Sequence, residues 1–342
     1  MFIACVVLTL ALGFAVYWLR RSFVANVALA VLSVSLCFTA LEGYFRFFYL
    51  KSDGFGRIDR NFAERYYRFD SYGLRESNLP LATDKGNIVV LGDSFVFGAG
   101  LKSTSKRLCE QLAARYPQYH FVNLGLPGWD TRTEIERTNK YLGDTSAVIP
   151  LVVLVYFFND VAEDVTPADR ARVVPPLAPS KETAIDRALQ RLADYSRFVE
   201  FVYFRVRYPQ LVSDRLTQIQ MFYNDPEIRA RHLASLERLR SLLAERYQAN
   251  LLIVVLPYLH SDELLNRTAF YRTFDNALDQ HGFNYIDMQP VFAKYGVRKL
   301  WVHRFDPHAN PFANELMAKG VIDYLNQHPD ALQREDRTPQ PP

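Results

Sequence analysis

The fold of this chain is decided by the stretch Val89-Val90-Leu91-Gly92-Asp93-Ser94-Phe95-Val96-Phe97-Gly98-Ala99-Gly100. It starts inside an apolar run, residues 87–91, that is typical of a buried β-strand, and it breaks into a turn at Gly92. Ser94 therefore follows the carboxyl end of a predicted strand, which is the edge where open parallel α/β sheets bind ligands. Because the tripeptide Gly92-Asp93-Ser94 alone also fits an ordinary turn, the rest of the chain has to decide its meaning.

Three further segments follow in order. The segment Asn123-Leu124-Gly125-Leu126-Pro127-Gly128 comes after an apolar run from residue 120, and Phe157-Phe158-Asn159-Asp160 comes after a run from residue 148. The segment Arg304-Phe305-Asp306-Pro307-His308-Ala309-Asn310-Pro311 leads into the last predicted helix. A serine, a glycine, an asparagine and an Asp/His pair, each after an element of an alternating α/β chain, resemble the SGNH (GDSL-type) hydrolase family over roughly residues 66–326.

This resemblance implies a set of roles for acyl transfer, which needs a nucleophile, a base, an orienting acid and oxyanion donors. Ser94 would be the nucleophile, His308 the base, and Asp306 the group that holds the imidazole in the correct tautomer. The oxyanion hole would consist of the backbone N–H groups of Ser94 and Gly128 and the side-chain amide of Asn159. A glycine at 128 would allow close approach because it has no Cβ.

The sequence departs from the family pattern at two places. The third block of the family usually carries a glycine two residues before the asparagine, where this chain has Phe157. The last block is commonly Asp-x-x-His, and here Asp306 and His308 are one residue closer. His303 is the competing base, but an extended Asp306-Pro307-His308 would place residues 306 and 308 on one side, so His308 is the prediction.

Other polar residues near these motifs have less specific interpretations. Asp93 and Asp160 each adjoin a motif residue, and we expect them to support the loops by accepting hydrogen bonds. Asp130 is expected to be the N-cap of the following helix. His260 has no evident partner in the sequence and is interpreted as structural. The segment Tyr72-Gly73-Leu74-Arg75 resembles the lead-in of membrane-anchored bacterial members of the family.

The bulk composition excludes several classes of protein. The chain has 342 residues, 49% of them hydrophobic, and a net charge of +3, so a large core is available and nucleic acid is not an expected partner. Of the three cysteines, only Cys109 lies in the part expected to be soluble, so no disulfide framework is implied there. No Cys/His cluster has zinc spacing, and neither a metal nor a cofactor is expected.

The N-terminus contains two apolar runs, residues 1–19 and 22–41, separated by Arg20-Arg21. Each is long enough for the roughly 20 residues that a membrane span requires. Arginines between two spans favour a cytoplasmic turn, which would place everything after Glu42 outside the cytoplasm. We therefore expect a membrane anchor over residues 1–50, as a helical hairpin or as a single span, in the inner membrane with the catalytic domain in the periplasm.

The remaining chain alternates between strands and helices. Five predicted strands favour an α/β, flavodoxin-like three-layer sandwich with a mainly parallel sheet, over residues 51–328. A helical insertion is expected at about residues 161–248. Its aromatic segment, residues 195–208, is interpreted as a core-facing helix, with a lid or membrane-surface helix as the alternative. Residues 329–342 are expected to form a disordered tail.

Together these features predict a membrane-anchored, extracytoplasmic serine esterase. Its substrate would be an O-acyl ester, with O-acetyl groups on a surface glycan favoured by compartment and resemblance, and the acyl group could go to water or to a sugar. A lysophospholipase-type lipid esterase is the first alternative. A catalytically silent glycan-binding or assembly factor is the second, although the intact Ser94, Asp306 and His308 set speaks against it.

Overall fold

The computed structural model describes residues 2–18, 23–53, 59–174 and 184–333. The chain forms two compact units. The first, called the helical unit below, combines residues 1–65 with residues 177–211. The second, called the α/β unit, combines residues 66–176 with residues 212–342. The prediction had placed residues 51–65 with the catalytic domain and the whole of 161–248 as its insertion, whereas the compact units divide these segments differently.

The helical unit begins with two apolar helices, α1 (Phe2–Trp18) and α2 (Phe23–Phe47). They are antiparallel neighbours: the Phe2 and Phe47 rings meet at 5.3 Å, and Thr9 Oγ1 lies 2.6 Å from Ser35 Oγ. Within the described residues, one helix is long and apolar enough to cross a membrane, at residues 26–47 of α2, with a mean hydropathy of 1.7. The apolar stretch of α1 is shorter, and Arg20-Arg21 lies outside the described residues.

The other helices that contribute to this unit follow much later or are short. α3 (Arg60–Tyr66) follows α2, and the Asn61 amide donates to the Arg46 and Tyr49 carbonyls at 3.1 and 3.2 Å. α8 (Ala184–Ala193) and the first half of α9 (Arg197–Asn224) complete the unit. Residues 195–208, which the sequence singled out for their aromatic content, thus lie in α9 and in the turn before it.

The α/β unit alternates strands with helices. Its sheet strands are β1 (Asn87–Gly92), β2 (His120–Gly125), β3 (Leu151–Phe157), β4 (Asn250–Leu256) and β5 (Asn284–Asp287). Its helices are α4 (Ser94–Phe97), α5 (Leu108–Arg115), α6 (Thr131–Leu142), α7 (Pro167–Val173), α10 (Pro226–Leu242), α11 (Asp262–Leu265), α12 (Thr268–Gln280), α13 (Gln289–Ala293), α14 (Val297–Leu300) and α15 (Pro311–Gln327), with a short hairpin of β6 (Trp301–His303) and β7 (Asp306–Ala309).

The five sheet strands are all parallel and lie in the order β2-β1-β3-β4-β5. This is the flavodoxin-like order, in which the chain leaves β1 at the point where the direction of winding reverses. The register places Gly92 opposite Gly125 and Val155, so the ends of β1 and β2 and the last part of β3 reach the same edge. The predicted fold is confirmed in strand number, direction and class.

The alternation of side chains along each strand builds three layers. Val89 and Leu91 belong to one core cluster with Val152 and Leu154, which packs beneath helices of one face. A second cluster lies beneath α5 and α15, and it contains Ile88 and Val90 of β1 together with Leu151, Val153 and Val155 of β3. Because both faces are covered, the strands read as continuous apolar runs in the sequence.

Two features of the α/β unit differ from the sequence prediction. The β6–β7 hairpin was not predicted, since its strands have only three and four residues. The predicted disordered tail begins too early, because residues 329–332 form a 3₁₀ turn. The Asn250 amide donates to the Ala331 carbonyl at 3.0 Å, which ties this turn to the start of β4. Residues 334–342 lie outside the described part of the chain.

Candidate active site

Ser94, His308 and Asp306 form a continuous hydrogen-bonded set. His308 Nε2 lies 2.8 Å from Ser94 Oγ, and His308 Nδ1 lies 2.5 Å from Asp306 Oδ1. Asp306 is buried, with 1% of its side chain exposed, whereas His308 retains 17% and Ser94 is also partly exposed. A buried carboxylate that orients an imidazole against an accessible hydroxyl is the geometry that activates a serine.

The β6–β7 hairpin explains how a shortened Asp-x-His block achieves this geometry. Asp306 and His308 lie in the extended strand β7, so their side chains share one side as expected for residues two apart. His303 pairs with Asp306 across the hairpin, and its Nδ1 accepts the Phe305 N–H at 3.2 Å. Asn310 caps α15 and donates to the Lys299 and Trp301 carbonyls, which fastens the end of β7 to the hairpin.

The turn that carries Ser94 is held from both sides. Asp93 caps α4 by accepting the Phe95 N–H at 2.9 Å, and Gly98 ends the helix with a φ of +75°, which favours glycine. Arg75 is fully buried and donates to the carbonyls of Gly98 and Leu101 at 2.7 and 2.8 Å. Burial lowers the pKa of Arg75 to about 10, so it remains charged at neutral pH. Arg75, the last residue of the segment Tyr72-Gly73-Leu74-Arg75, therefore fixes the loop that follows the serine. This role is called the Arg75 clamp below.

The two other predicted oxyanion donors follow strands that flank β1. Gly128 lies in the loop after β2 with a φ of +83°, and a Cβ there would meet nothing within 4 Å. The left-handed backbone favours glycine at this position, and the space beside it is open, so the close approach of a substrate oxyanion to Gly128 stays a prediction. The crowded glycine is Gly125, whose Cβ would lie 2.3 Å from the Phe97 nitrogen.

Asn159 is the second residue of the 3₁₀ turn Phe158–Asp164 that follows β3, and it is a hydrogen-bonding neighbour of Asp93. An amide NH₂ has two donors, so a bond to Asp93 leaves one for a ligand. Phe157 adopts ordinary strand geometry (φ −125°, ψ 146°), so no glycine is needed there. Its ring packs 4.8 Å from Phe95, which in turn lies 5.3 Å from the His308 ring. The residue that departs from the family pattern thus packs against Phe95, the ring that lies beside the histidine.

Behind the serine loop lies a buried group of carboxyls: Asp93, Glu134 and Asp160, all at most 3% exposed. Burial raises the pKa of each, and for Glu134 the charges of Asp93 and Asp130 raise it further. The Asp130 side chain caps α6 through the Thr133 N–H, as predicted. Asp93 supports the serine turn as expected, whereas Asp160 is placed next to Asn159 in a group that the sequence did not indicate.

His260 was interpreted as structural, and the structure gives it surroundings that the sequence did not indicate. It follows β4, its ring lies 6.0 Å from that of Tyr258, and its Nδ1 is buried with no hydrogen-bond partner. Burial first, and then the charge of His308, lower the pKa of His260 to about 4. It is therefore a neutral imidazole within electrostatic reach of the candidate base, which no local sequence pattern could have indicated.

Among the described residues, no group of three or more His, Cys, Asp and Glu side chains could hold a metal ion.

Comparison with known proteins gives structural likeness only. No family model matches the sequence, and no curated protein matches it. Among solved structures, a member of the lipolytic protein G-D-S-L family from Veillonella parvula is 12% identical with a TM-score of 0.42, covering 71% of this chain and 99% of that one. The acetyl xylan esterase AlAXEase is 14% identical, TM-score 0.41, covering 70% and 99%. A lipase/acylhydrolase from Enterococcus faecalis is 15% identical, TM-score 0.40, covering 71% and 96%.

Proposed function

We propose that this protein is a serine hydrolase of SGNH type that cleaves or transfers an O-acyl ester. The observation that carries the proposal is the hydrogen-bonded set Ser94–His308–Asp306, with both distances at or below 2.8 Å. The three residues come from two elements, since Ser94 begins α4 whereas Asp306 and His308 both lie in β7, and the serine and histidine are 214 positions apart in sequence. Such a constellation at the carboxyl edge of a parallel sheet, partly open to solvent, is suited to ester chemistry.

In the proposed reaction, Ser94 Oγ attacks the ester carbonyl carbon while His308 Nε2 takes the hydroxyl proton. Asp306 accepts the Nδ1–H and stabilises the imidazolium that forms. The carbonyl oxygen becomes an oxyanion, for which the N–H groups of Ser94 and Gly128 and the Asn159 amide are the proposed donors. The C–O bond to the alcohol then breaks, and His308 returns its proton to the departing alkoxide.

The acyl-Ser94 ester is resolved by the same groups in reverse. His308 deprotonates a water molecule, which releases the free acid, or a sugar hydroxyl, which yields a new ester. The substrate that we favour is an O-acetyl group on a surface glycan. The membrane-anchored location and the family resemblance of the motifs support this choice, and a lysophospholipid is the competing substrate.

Labelling by a fluorophosphonate tests the nucleophile directly. The parent protein should become labelled, and Ser94→Ala should lose both labelling and hydrolysis of p-nitrophenyl acetate. Ser105→Ala removes an exposed hydroxyl from the next helical turn and is the matched control. Activity of the Ser94→Ala variant within about threefold of the parent would exclude the proposed mechanism, since loss of a nucleophile costs several orders of magnitude.

Substrate class is tested with pairs of esters. Acetate release from an O-acetylated glycan, compared with fatty-acid release from a lysophospholipid, separates the two candidates. Adding a non-acetylated glycan acceptor and measuring its acetylation separates transfer from hydrolysis. A protein that labels at Ser94 but processes neither ester would leave the chemistry intact and overturn the substrate proposal.

The proposed location is the inner membrane, with the α/β unit on the periplasmic side. It is supported by the apolar helix at residues 26–47 and by the arginine pair that precedes it in the sequence. A reporter that is active only outside the cytoplasm should be active when fused after Lys51 and inactive when fused at Arg21. The reverse pattern would overturn the orientation.

A further inference from the structure

Helix α8 presents an apolar face to solvent. Its apolar residues recur at i, i+4 and i+7 as Ile185, Leu189 and Leu192, and these side chains are 70%, 39% and 49% exposed. The opposite face carries only polar side chains, namely Asp186, Arg187, Gln190 and Arg191. A two-faced helix that belongs to a compact unit normally buries its apolar stripe, so the open stripe indicates a surface still to be covered.

The residues that follow α8 are hydrogen-bonded to the C-terminal part of α2. Glu42, which is fully buried, accepts hydrogen bonds from Ser196 Oγ at 2.8 Å and from the Phe198 N–H at 3.0 Å. Arg46 donates to the Tyr195 carbonyl at 3.2 Å. The residues that join α8 to α9 are therefore bound to the last two turns of the apolar helix.

Aromatic packing adds to this junction. The ring of Phe45 lies 4.1 Å from that of Phe201 and 5.9 Å from that of Phe198. Arg205 adds polar contacts further along α9, reaching Asp53 at 3.2 Å and the Tyr49 hydroxyl at 3.0 Å. The level at which α8 ends is therefore set by α2 and does not depend on a flexible linker.

That level coincides with the end of the candidate membrane span. Residues 26–47 form the span, and Glu42 lies about 24 Å along it from residue 26 at 1.5 Å per residue. The hydrocarbon core is about 30 Å thick, so Glu42 and Arg46 fall at its boundary with the headgroups. Tyr44, Phe47 and Phe48 are exposed at the same level, as expected of an aromatic belt.

We infer that α8 is an interfacial helix whose apolar face, Ile185, Leu189 and Leu192, lies in the boundary between lipid headgroups and acyl chains. The inference rests on the proposed membrane anchor. The occupant is a lipid surface because the junction with α2 holds α8 where such a surface begins, and because its polar face carries two arginines that anionic headgroups attract.

Depth-dependent fluorescence quenching tests this placement in the full-length protein. Cys5, Cys37 and Cys109 are first replaced by alanine, and a polarity-sensitive fluorophore is attached at Ile185→Cys or, as the matched control, at Gln190→Cys. These positions are about 140° apart around the helix at 3.6 residues per turn. The protein is reconstituted in vesicles of phosphatidylethanolamine and phosphatidylglycerol, with or without lipids brominated near the headgroup.

The fluorophore at 185 should be quenched several-fold more by brominated lipid than that at 190, while aqueous iodide should quench the one at 190 more. Equal access of both positions to iodide would overturn the inference. So would protection of position 185 without quenching by brominated lipid. In that case, loss of protection on diluting the protein in lipid would identify a second copy as the occupant, and persistence would identify another part of the chain.

Two further measurements on the same vesicles separate this inference from the proposals beneath it. Flotation of the vesicles reports the anchor, and fluorophosphonate labelling of Ser94 reports the hydrolase. A chain that floats and labels, but shows position 185 open to iodide, refutes the interfacial helix alone. A chain that does not float refutes the anchor and the helix together. A second variant, Glu42→Gln, should reduce lipid quenching at position 185 without changing Ser94 labelling.

Discussion

Two sets of side chains in the α/β unit share one order of hydrogen bonds: hydroxyl, imidazole, carboxylate. The first is Ser94–His308–Asp306. In the second, Tyr156 and His232 Nε2 lie 2.7 Å apart, and His232 Nδ1 lies 2.8 Å from Asp164. Only the first set is open to solvent, since Tyr156 and His232 are fully buried.

The polar atoms of the second set also have further hydrogen-bond partners inside the protein. Ser235 Oγ donates to Asp164 at 2.9 Å, and the Tyr156 hydroxyl additionally contacts that of Tyr223. Burial alone would raise the pKa of Asp164, but its bonds with His232 and Ser235 outweigh burial and hold this pKa below the usual range. Residue types and the order of their hydrogen bonds are therefore not enough to make a catalytic site. Access and position after a strand, as for Ser94, distinguish the site from a structural network.

The largest expected effect separates the two histidines near Asp306. His308→Ala should lose at least about 1,000-fold in kcat, and His303→Ala less than about tenfold, because only His308 reaches the serine. Hydrolysis of p-nitrophenyl acetate by folded, detergent-solubilised protein measures both. Losses in the reverse order would remove Asp306 from its assigned role as well.

The corresponding substitution in the buried set, His232→Ala, should lower the stability of the protein and leave its turnover nearly unchanged. His232→Ala leaves the Asp164 carboxylate without its main partner and opens a cavity, which typically costs about 3 kcal/mol of unfolding free energy. Thermal denaturation should therefore shift markedly downward, while activity per folded molecule stays within about tenfold.

His281→Ala is the control for this experiment, since His281 is an exposed histidine paired with Glu237 and should cost less than about 1 kcal/mol. An active-site-sized loss of turnover in His232→Ala with unchanged stability would mean that the buried network takes part in catalysis after all.

Glu134 extends the comparison to a buried carboxyl whose two oxygens accept no hydrogen bond. Its pKa is raised by burial, so its contribution to stability is fully present below the unfolded pKa of about 4.5 and is lost as pH rises through the folded value. Glu134→Gln removes this titration. The variant should therefore gain stability relative to the parent as pH rises from about 5 to 8.

Melting temperatures of parent and variant across that range provide the measurement, and Glu136→Gln, an exposed glutamate on the same helix, is the control. A stability difference between variant and parent that stays constant, or moves in favour of the parent, as pH rises would show that Glu134 is already ionised in the folded protein across this range.

The smallest expected effect concerns His260. Unlike His308 and His232, this histidine has neither a neighbouring accessible serine nor a carboxylate partner. Because its pKa is about 4, it is neutral from about pH 5 upward and should not shape the pH–rate profile of the site. His260→Gln should leave the profile between about pH 5 and 8 superimposable on that of the parent. A displaced acidic limb would show that His260 titrates together with His308.

Several features of this protein follow from the sequence alone. Continuous apolar runs such as residues 87–91 predict strands buried on both faces, and the alternation with helices predicts a parallel sheet. From these, the position of Ser94 after β1 follows directly. The extended geometry of Asp306-Pro307-His308 also follows, because proline restricts both its own φ and the residue before it. These inferences succeed because they depend on local periodicity and backbone sterics.

Other features depend on contacts between distant segments, which local patterns do not encode. The β6–β7 hairpin, the Arg75 clamp, and the pairing of His232 with Asp164 each require elements that meet only after the crossovers are complete. Glu134 lies on a helix that reads as polar, yet it is fully buried. The start of α9 likewise meets α2 through Glu42 and Ser196, which are 154 positions apart in sequence. Periodicity sets which side of an element is apolar, but only the tertiary structure decides which partner each side meets.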